Sequence, residues 1–479
     1  MSRNKSLALN AALNTVKTVL GILFPLITYP YVSRVLGVEN LGIYNFSFSF
    51  LSYFLLIAAL GVPTYGIREG TNYRDNKEQL QGFVSELFSI NVISTTVSYT
   101  LLIILLYAIP FMRPYRTTIL ILSAEILFTT LGTSWVYNVF EDFLAIAIRT
   151  VFFQLLSLVF VFLFVKTSND LYNYVLILLI SNSGANLVNF FYIRKKYCKF
   201  YFTLRIDWKR HLRPIMTIFS AAVAITVFVS SDTTMLGFMT NDYQVGLYGV
   251  AVKIYTIIKS VLAAILMVFI PRFTLMLSGK RENETNEFFS RVFNVLTVLV
   301  LPMCFGLFLL SEDVVLVVSG KEYYGAAAPL RILSLAEVFS LFAGMYTQCV
   351  LIPLKKEKIV FRATAISAVV NIVLNILLIP LWGICAAAVT TVISEFIAFV
   401  IAYVYSIDTI RLVNVWKNLA SALLGCAGIV VVCIACRGIG LIVPRVVISV
   451  IGSVAIYVIA LALSKNPVLR LFFAKLFRR

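Results

Sequence analysis

The sequence predicts an all-α polytopic membrane protein with about 14 transmembrane helices. Of its 479 residues, 60% are hydrophobic and only 13% are charged, whereas soluble domains carry roughly 25% charged residues. Apolar runs of about 20 residues recur along the whole chain, and each is long enough to cross a hydrocarbon core of roughly 30 Å. A transmembrane barrel would instead show short segments of alternating polarity, and the sequence lacks that pattern.

The apolar runs also predict how the chain is oriented. Their predicted boundaries are 10–33, 41–61, 83–109, 116–139, 144–166, 171–193, 212–239, 245–270, 288–311, 325–352, 359–380, 383–406, 416–436 and 440–463. Most of the 40 Lys and Arg residues fall in alternate connections, and basic connections mark the cytoplasmic side of a membrane protein. We therefore expect both termini in the cytoplasm and the protein in the inner or plasma membrane.

The charge and the residue types exclude several functions. The net charge is +18, but the Lys and Arg residues lie mostly in predicted cytoplasmic loops, so nucleic acid is not an expected partner. The single histidine, His211, argues against a histidine-based metal centre and against a Ser/His/Asp triad. The nucleotide-binding pattern GxxxxGK[ST] is absent from the sequence. We expect no enzyme activity and no cofactor.

An internal repeat predicts two lobes. "RVLGVENLGIYNF" (34–46) and "MLGFMTNDYQVGLYGV" (235–250) share Leu-Gly, a short polar loop and a turn with Gly and Tyr that opens the next span. The long basic linker 194–214 lies between them. Both copies start on the same side, so the repeat is parallel, with its axis along the membrane normal. The predicted domains are an N-terminal lobe 1–200 (spans one to six), a C-terminal lobe 201–406 (spans seven to twelve), and 407–479 with spans thirteen and fourteen and a basic tail.

These motifs resemble a known family. "LNTVKTVLG" followed by "SRVLGVENLGIYNFSFSF", with "GIREGTN" (66–72) further on, is similar to the polysaccharide-export and O-antigen flippases. They belong to the superfamily that also contains lipid II flippases and multidrug exporters. The resemblance covers nearly the whole chain and is most specific in its first seventy residues. It implies a flippase that moves a polyprenyl-diphosphate-linked oligosaccharide from the inner to the outer leaflet by alternating access.

A first group of candidate residues is basic. Asn14 and Lys17 share one face of span one, which ends at Arg34, and span eight carries Lys253 and Lys259. The resemblance places Lys17 and Lys253 where related lipid flippases have arginines in a central cationic cavity. A diphosphate needs cations in a partly dehydrated site, so the four basic residues are candidate substrate contacts, and Asn14 joins them because it shares the face of Lys17. Snorkelling of the long side chains to the interface is the alternative.

A second group is built around Asp232, which lies inside an apolar span between hydroxyl side chains. Asn371 and Asn375 share a face of span eleven, and Thr390 lies in span twelve at a similar distance, roughly 8–14 Å, from the outer surface. One carboxylate, two amide oxygens and a hydroxyl suit Na⁺, and the resembling lipid II flippases have a similar sodium site. A proton on Asp232 and plain interhelical hydrogen bonding stay open as alternatives.

Two other functions compete with this prediction. A cation-coupled multidrug exporter of the same superfamily would favour a carboxylate in the first span, which offers Lys17 instead. A membrane-embedded glycan polymerase or ligase would need a large outer loop, and all predicted outer loops are short. The expected partners are therefore the lipid-linked oligosaccharide, Na⁺ or H⁺, and membrane lipids, with a monomer as the expected state.

Overall fold

The helices follow the apolar runs closely. A computed structural model describes residues 2–279 and 282–469, without the side chains of 2–20, 22, 145, 278 and 282. In this part of the chain the helices are α1 Ser2–Ala59, α2 Val62–Gly70, α3 Lys77–Ala108, α4 Arg116–Gly132, α5 Trp135–Val139, α6 Phe143–Phe164, α7 Leu171–Lys196, α8 Trp208–Met239, α9 Asp242–Met267, α10 Ile270–Ser278, α11 Glu282–Ser319, α12 Ala327–Tyr346, α13 Glu357–Trp382, α14 Ile384–Val404, α15 Trp416–Cys436 and α16 Ile442–Leu463.

The fold class is an all-α polytopic membrane protein, as predicted. Thirteen helical segments among the described residues are long and apolar enough to cross a membrane. The first of them, Leu23–Tyr73, contains the end of predicted span one and the whole of span two, because α1 runs through both spans with a kink at Gly37 (φ 78°, ψ 173°). A residue with a side chain rarely adopts that backbone conformation, so glycine is required at this kink. Asn40 donates a hydrogen bond across it to the Leu36 carbonyl at 3.0 Å.

The repeated motifs have similar local structures. The second copy ends α8 and begins α9, where the side chain of Asn241 caps the new helix by accepting from the Gln244 amide at 3.0 Å. Further along, "GVP" and "FIP" each start a helix of nine residues, α2 and α10, with proline in the first turn. Proline suits this position because the first amide groups of a helix have no partner within the helix. Each copy of the repeat thus consists of a long helix, a break, a second long helix and a short helix.

The chain divides into two compact units, 1–237 and 238–479. The first unit contains α1–α7 and nearly all of α8, which the repeat assigns to the C-terminal lobe. At one end its core joins α2, α3, α5 and the segment after α7 through buried Tyr65, Phe83, Trp135 and Phe200. Gly66 is required in this core, since a Cβ there would lie 2.7 Å from the Trp135 ring. The predicted domain boundaries stay a prediction.

The second unit contains α9–α16. Its core collects side chains from α9, α11, α12 and α15, with Phe289, Tyr346 and Cys426 among the buried members. The last turn of α12 continues as a π-helical turn, Thr347–Leu351. Such wide turns are rare and frequently occur at functional sites. Large apolar side chains on the outer faces of α15 and α16, such as Val431 and Ile451, remain exposed, as lipid-facing positions do.

Candidate functional site

Three of the five predicted substrate contacts have described side chains. Arg34 lies in α1 one turn before the kink at Gly37 and is exposed. Lys253 is half-buried on α9. The side chains of Asn14 and Lys17 lie outside the described residues. The substrate role of all five residues stays a prediction.

Lys259 belongs to a charge pair within the second unit. Its ammonium lies 2.7 Å from the carboxylate of Glu395 on α14. The hydroxyl of Tyr255, one turn earlier on α9, lies 3.4 Å from both groups. The Glu395 side chain is 7% exposed and that of Lys259 is 40% exposed. Lys259 therefore compensates the buried charge of Glu395. The sequence did not reveal this pair.

A cavity of about 240 Å³ opens beside this pair. Its lining comes from α9, α10, α12 and the π-helical turn, and is mostly aliphatic, with Leu262, Leu266 and Leu341. Lys259 and Glu337 supply its charged groups. Lys259 lies eight residues before the end of α9, or roughly 12 Å along the axis, so the cavity lies near the end of α9 that is predicted to be cytoplasmic.

The predicted amide and hydroxyl ligands form one cluster in the second unit. The Asn375 amide donates to Asn371 Oδ1 at 3.1 Å, and the Thr390 hydroxyl donates to Asn375 Oδ1 at 2.6 Å. The Asn371 amide donates to the Thr390 hydroxyl at 3.4 Å, which closes the ring. All three side chains are buried. The three side chains therefore meet as predicted, while their depth in the membrane and their binding of a cation stay predictions.

Asp232 lies buried on α8 in the first unit, between hydroxyls that contact α1. Ser49 donates to the Ser230 carbonyl at 2.8 Å and lies 2.9 Å from the Thr234 hydroxyl. Ser52 donates to the Ser230 hydroxyl at 2.9 Å. We call Ser49, Ser52, Ser230 and Thr234 the hydroxyl seam. Two of the hydroxyls that surround Asp232 in the sequence thus hold α8 against α1.

The start of α8 also contacts other helices of the first unit. His211 is fully buried, with Nδ1 at 3.0 Å from the Tyr65 hydroxyl and Nε2 at 3.0 Å from the carboxylate of Glu86. Glu86 also accepts from the backbone amide of Asp207 at 3.1 Å. The sequence placed His211 in a basic loop, and nothing in its local pattern signals this burial.

Several other intramembrane charges have partners on neighbouring helices. Arg149 on α6 donates to Asn189 on α7 at 2.7 Å, and Arg331 on α12 lies 2.8 Å from Glu312 on α11. Arg445 on α16 forms a two-pronged pair with Asp313 on α11. These pairs join helices within a unit and need no ligand to explain them.

The arrangement of helices is shared with known membrane transporters. A lipid II flippase in an inward closed conformation has the same fold with a TM-score of 0.72 and 16% identity, over 95% of this chain and 98% of its own. A MATE protein in the bent conformation gives a TM-score of 0.54 at 14% identity, over 88% of this chain and 97% of its own. At these identities the similarity shows the fold alone.

The sequence assigns the family. The chain belongs to the polysaccharide biosynthesis protein family, whose profile matches residues 7–277. An O-antigen transporter of Shigella dysenteriae is 21% identical over 78% of this chain and 93% of its own length. The capsular polysaccharide biosynthesis protein CapF of Staphylococcus aureus is 22% identical over 77% of this chain and 91% of its own length. The predicted resemblance to the polysaccharide and O-antigen flippases is therefore confirmed.

Proposed function

We propose that the protein is a flippase, and not an enzyme, which moves a polyprenyl-diphosphate-linked oligosaccharide from the inner to the outer leaflet. The observation that carries this proposal is the family match over residues 7–277. The fold shared with a lipid II flippase supports it. We further propose a location in the cell membrane, with both termini in the cytoplasm, because the basic connections alternate with less basic ones.

The basic residues within the spans are suited to the substrate's diphosphate. A diphosphate carries about two negative charges and binds best to ammonium or guanidinium groups in a partly dehydrated site. Lys253 is the strongest of the described candidates, because it is half-buried in the middle of α9. Lys259 is a weaker candidate than the sequence suggested, since Glu395 already neutralises its charge.

Alternating access requires helix contacts that can separate and re-form. The hydroxyl seam between α1 and α8 has this character. Its hydrogen bonds join neutral hydroxyl and carbonyl groups, and interhelical bonds of this kind are worth only about 0.6 kcal/mol each on average in membrane proteins. We propose that the seam opens when the substrate leaves towards the outer leaflet, and that a Na⁺ or H⁺ gradient drives the cycle.

Transport in proteoliposomes tests the proposal. The purified protein is reconstituted with a fluorescent polyprenyl-diphosphate oligosaccharide, and glycosidase added outside reports the sugar that reaches the outer leaflet. We expect Lys253→Met to slow this transfer at least tenfold, and Lys253→Arg to retain most of it, because arginine keeps the charge. Lys321→Met is the matched control, since Lys321 is exposed in the short helical connection between α11 and α12.

The outcomes separate the competing functions. Oligosaccharide transfer by the wild type that is lost in Lys253→Met supports the flippase function. Efflux of a cationic dye without oligosaccharide transfer would indicate a drug exporter instead, and elongation of the glycan would indicate a polymerase. A Lys253→Met variant that transfers at the wild-type rate would remove Lys253 from the substrate site.

A further inference from the structure

The cavity beside Lys259 contains an unusual carboxylate. Glu337 on α12 is 1% exposed and lines this cavity, whose other polar groups are Lys259, Ser340 and Gln348. Among the described residues no side chain forms a hydrogen bond with either carboxylate oxygen of Glu337, and the one polar backbone contact nearby, at Lys259, falls short of good hydrogen-bond geometry. Buried carboxylates are otherwise held by hydrogen bonds or a cation, because an isolated buried charge is strongly destabilising. Glu337 is therefore a group that requires either a ligand or neutralisation.

The charges around Glu337 point to neutralisation. Lys259 on α9 lies close enough to act on Glu337 electrostatically, but its ammonium is held by Glu395 on α14. Tyr255 on α9 and Cys304 on α11 are the other titratable groups that face Glu337. The Lys259 ammonium thus lies near two carboxylates, those of Glu337 and Glu395. The cluster carries one net negative charge when Glu337 is ionised and none when Glu337 is a neutral acid.

We propose that Glu337 is a reversible proton-binding site and that its proton is the coupling ion of the transport cycle. A proton from water in the cavity forms an O–H bond with a Glu337 oxygen, and the cluster becomes neutral. When the proton leaves, the ionised Glu337 competes with Glu395 for the Lys259 ammonium. The proton thus determines whether α9 is drawn towards α14 or towards α12. The coupling role rests on the proposed function, whereas the proton site does not.

Infrared spectroscopy tests the proton site directly. Reconstituted wild-type protein should show the C=O band of a neutral, buried carboxylic acid that disappears as the pH is raised. Glu337→Gln, which has the shape of the neutral acid, should lose this band. The matched control Glu322→Gln, at an exposed position near the start of α12, should keep it. A band unchanged in Glu337→Gln would overturn the proposal, as would a wild-type spectrum without such a band.

Transport then tests the coupling. With a pH gradient across the proteoliposomes, the wild type should transfer oligosaccharide faster than without one, and Glu337→Gln should lose this acceleration. An elution volume equal to that of the wild type on size-exclusion chromatography in detergent shows that Glu337→Gln is folded. A variant that keeps its response to the pH gradient would overturn the coupling role. If the wild type transfers no lipid-linked oligosaccharide at all, the proposed function fails, and the infrared result still decides the proton site.

Discussion

Replacing Lys259 with methionine removes the cation that compensates Glu395. Removing one partner of a buried ion pair costs about 3–5 kcal/mol, because the other charge is left uncompensated. The Glu395 side chain is 7% exposed, but that of Lys259 is 40% exposed, so water already weakens the pair. We therefore expect Lys259→Met to lower the free energy of unfolding by roughly 2–3 kcal/mol.

The partner variant should behave differently. Glu395→Gln leaves Lys259 beside Glu337, and the lysine can pair with this second carboxylate, so we expect a loss of only about 1 kcal/mol. The double variant Lys259→Met with Glu395→Gln contains neither charge. We expect its stability to lie within about 1 kcal/mol of the wild type, which gives a coupling free energy of roughly 2–4 kcal/mol.

Unfolding by sodium dodecyl sulfate in mixed micelles measures these free energies. A thiol-reactive dye reports unfolding, since every cysteine except Cys385 is buried. Equal stability of Lys259→Met and wild type, without coupling in the double variant, would refute the reasoning. Transport adds a second readout: the double variant should still transfer oligosaccharide if Lys259 acts through Glu395, and should fail if Lys259 binds the diphosphate.

Two further predictions concern packing and a buried thiol. Gly237→Ala should lower the free energy of unfolding by about 1–3 kcal/mol, because a Cβ there would overlap the ring of Phe46. The control Gly306→Ala should be neutral or slightly stabilising, because Gly306 has open space around it. Equal effects of the two variants in the unfolding assay would contradict this prediction. Burial raises the pKa of the Cys198 thiol to about 11. At pH 7.5 its thiolate fraction is therefore roughly 300-fold below that of an ordinary thiol of pKa about 8.5, so maleimide should modify it more slowly by about this factor. The rate should rise about tenfold per pH unit as thiolate forms. Peptide mass spectrometry measures this rate, and fast labelling that does not depend on pH would show that the thiol is accessible.

Span positions and the internal repeat followed from local sequence patterns. Lipid leaves no alternative to the helix for an apolar run, because each backbone amide and carbonyl must find its partner within the run. The short helices α2 and α10 were not predicted, since each has only nine residues, with proline in its first turn, and so few residues show too little periodicity to be recognised. The grouping of Asn371, Asn375 and Thr390 was predicted because spacing and depth depend only on helix geometry.

The sequence by itself determined the class of the protein, the spans and the position of each charge along its helix, because hydrophobicity and helix periodicity act over a few neighbouring residues. Only the tertiary structure decided which charges meet. Lys259 lies 136 positions from Glu395, and His211 lies 125 from Glu86. The structure also decided that the hydroxyls beside Asp232 hold α8 to α1. Such contacts depend on the rotation and tilt of each helix against its neighbours, and in lipid these are set by side-chain packing and interhelical hydrogen bonds between distant segments.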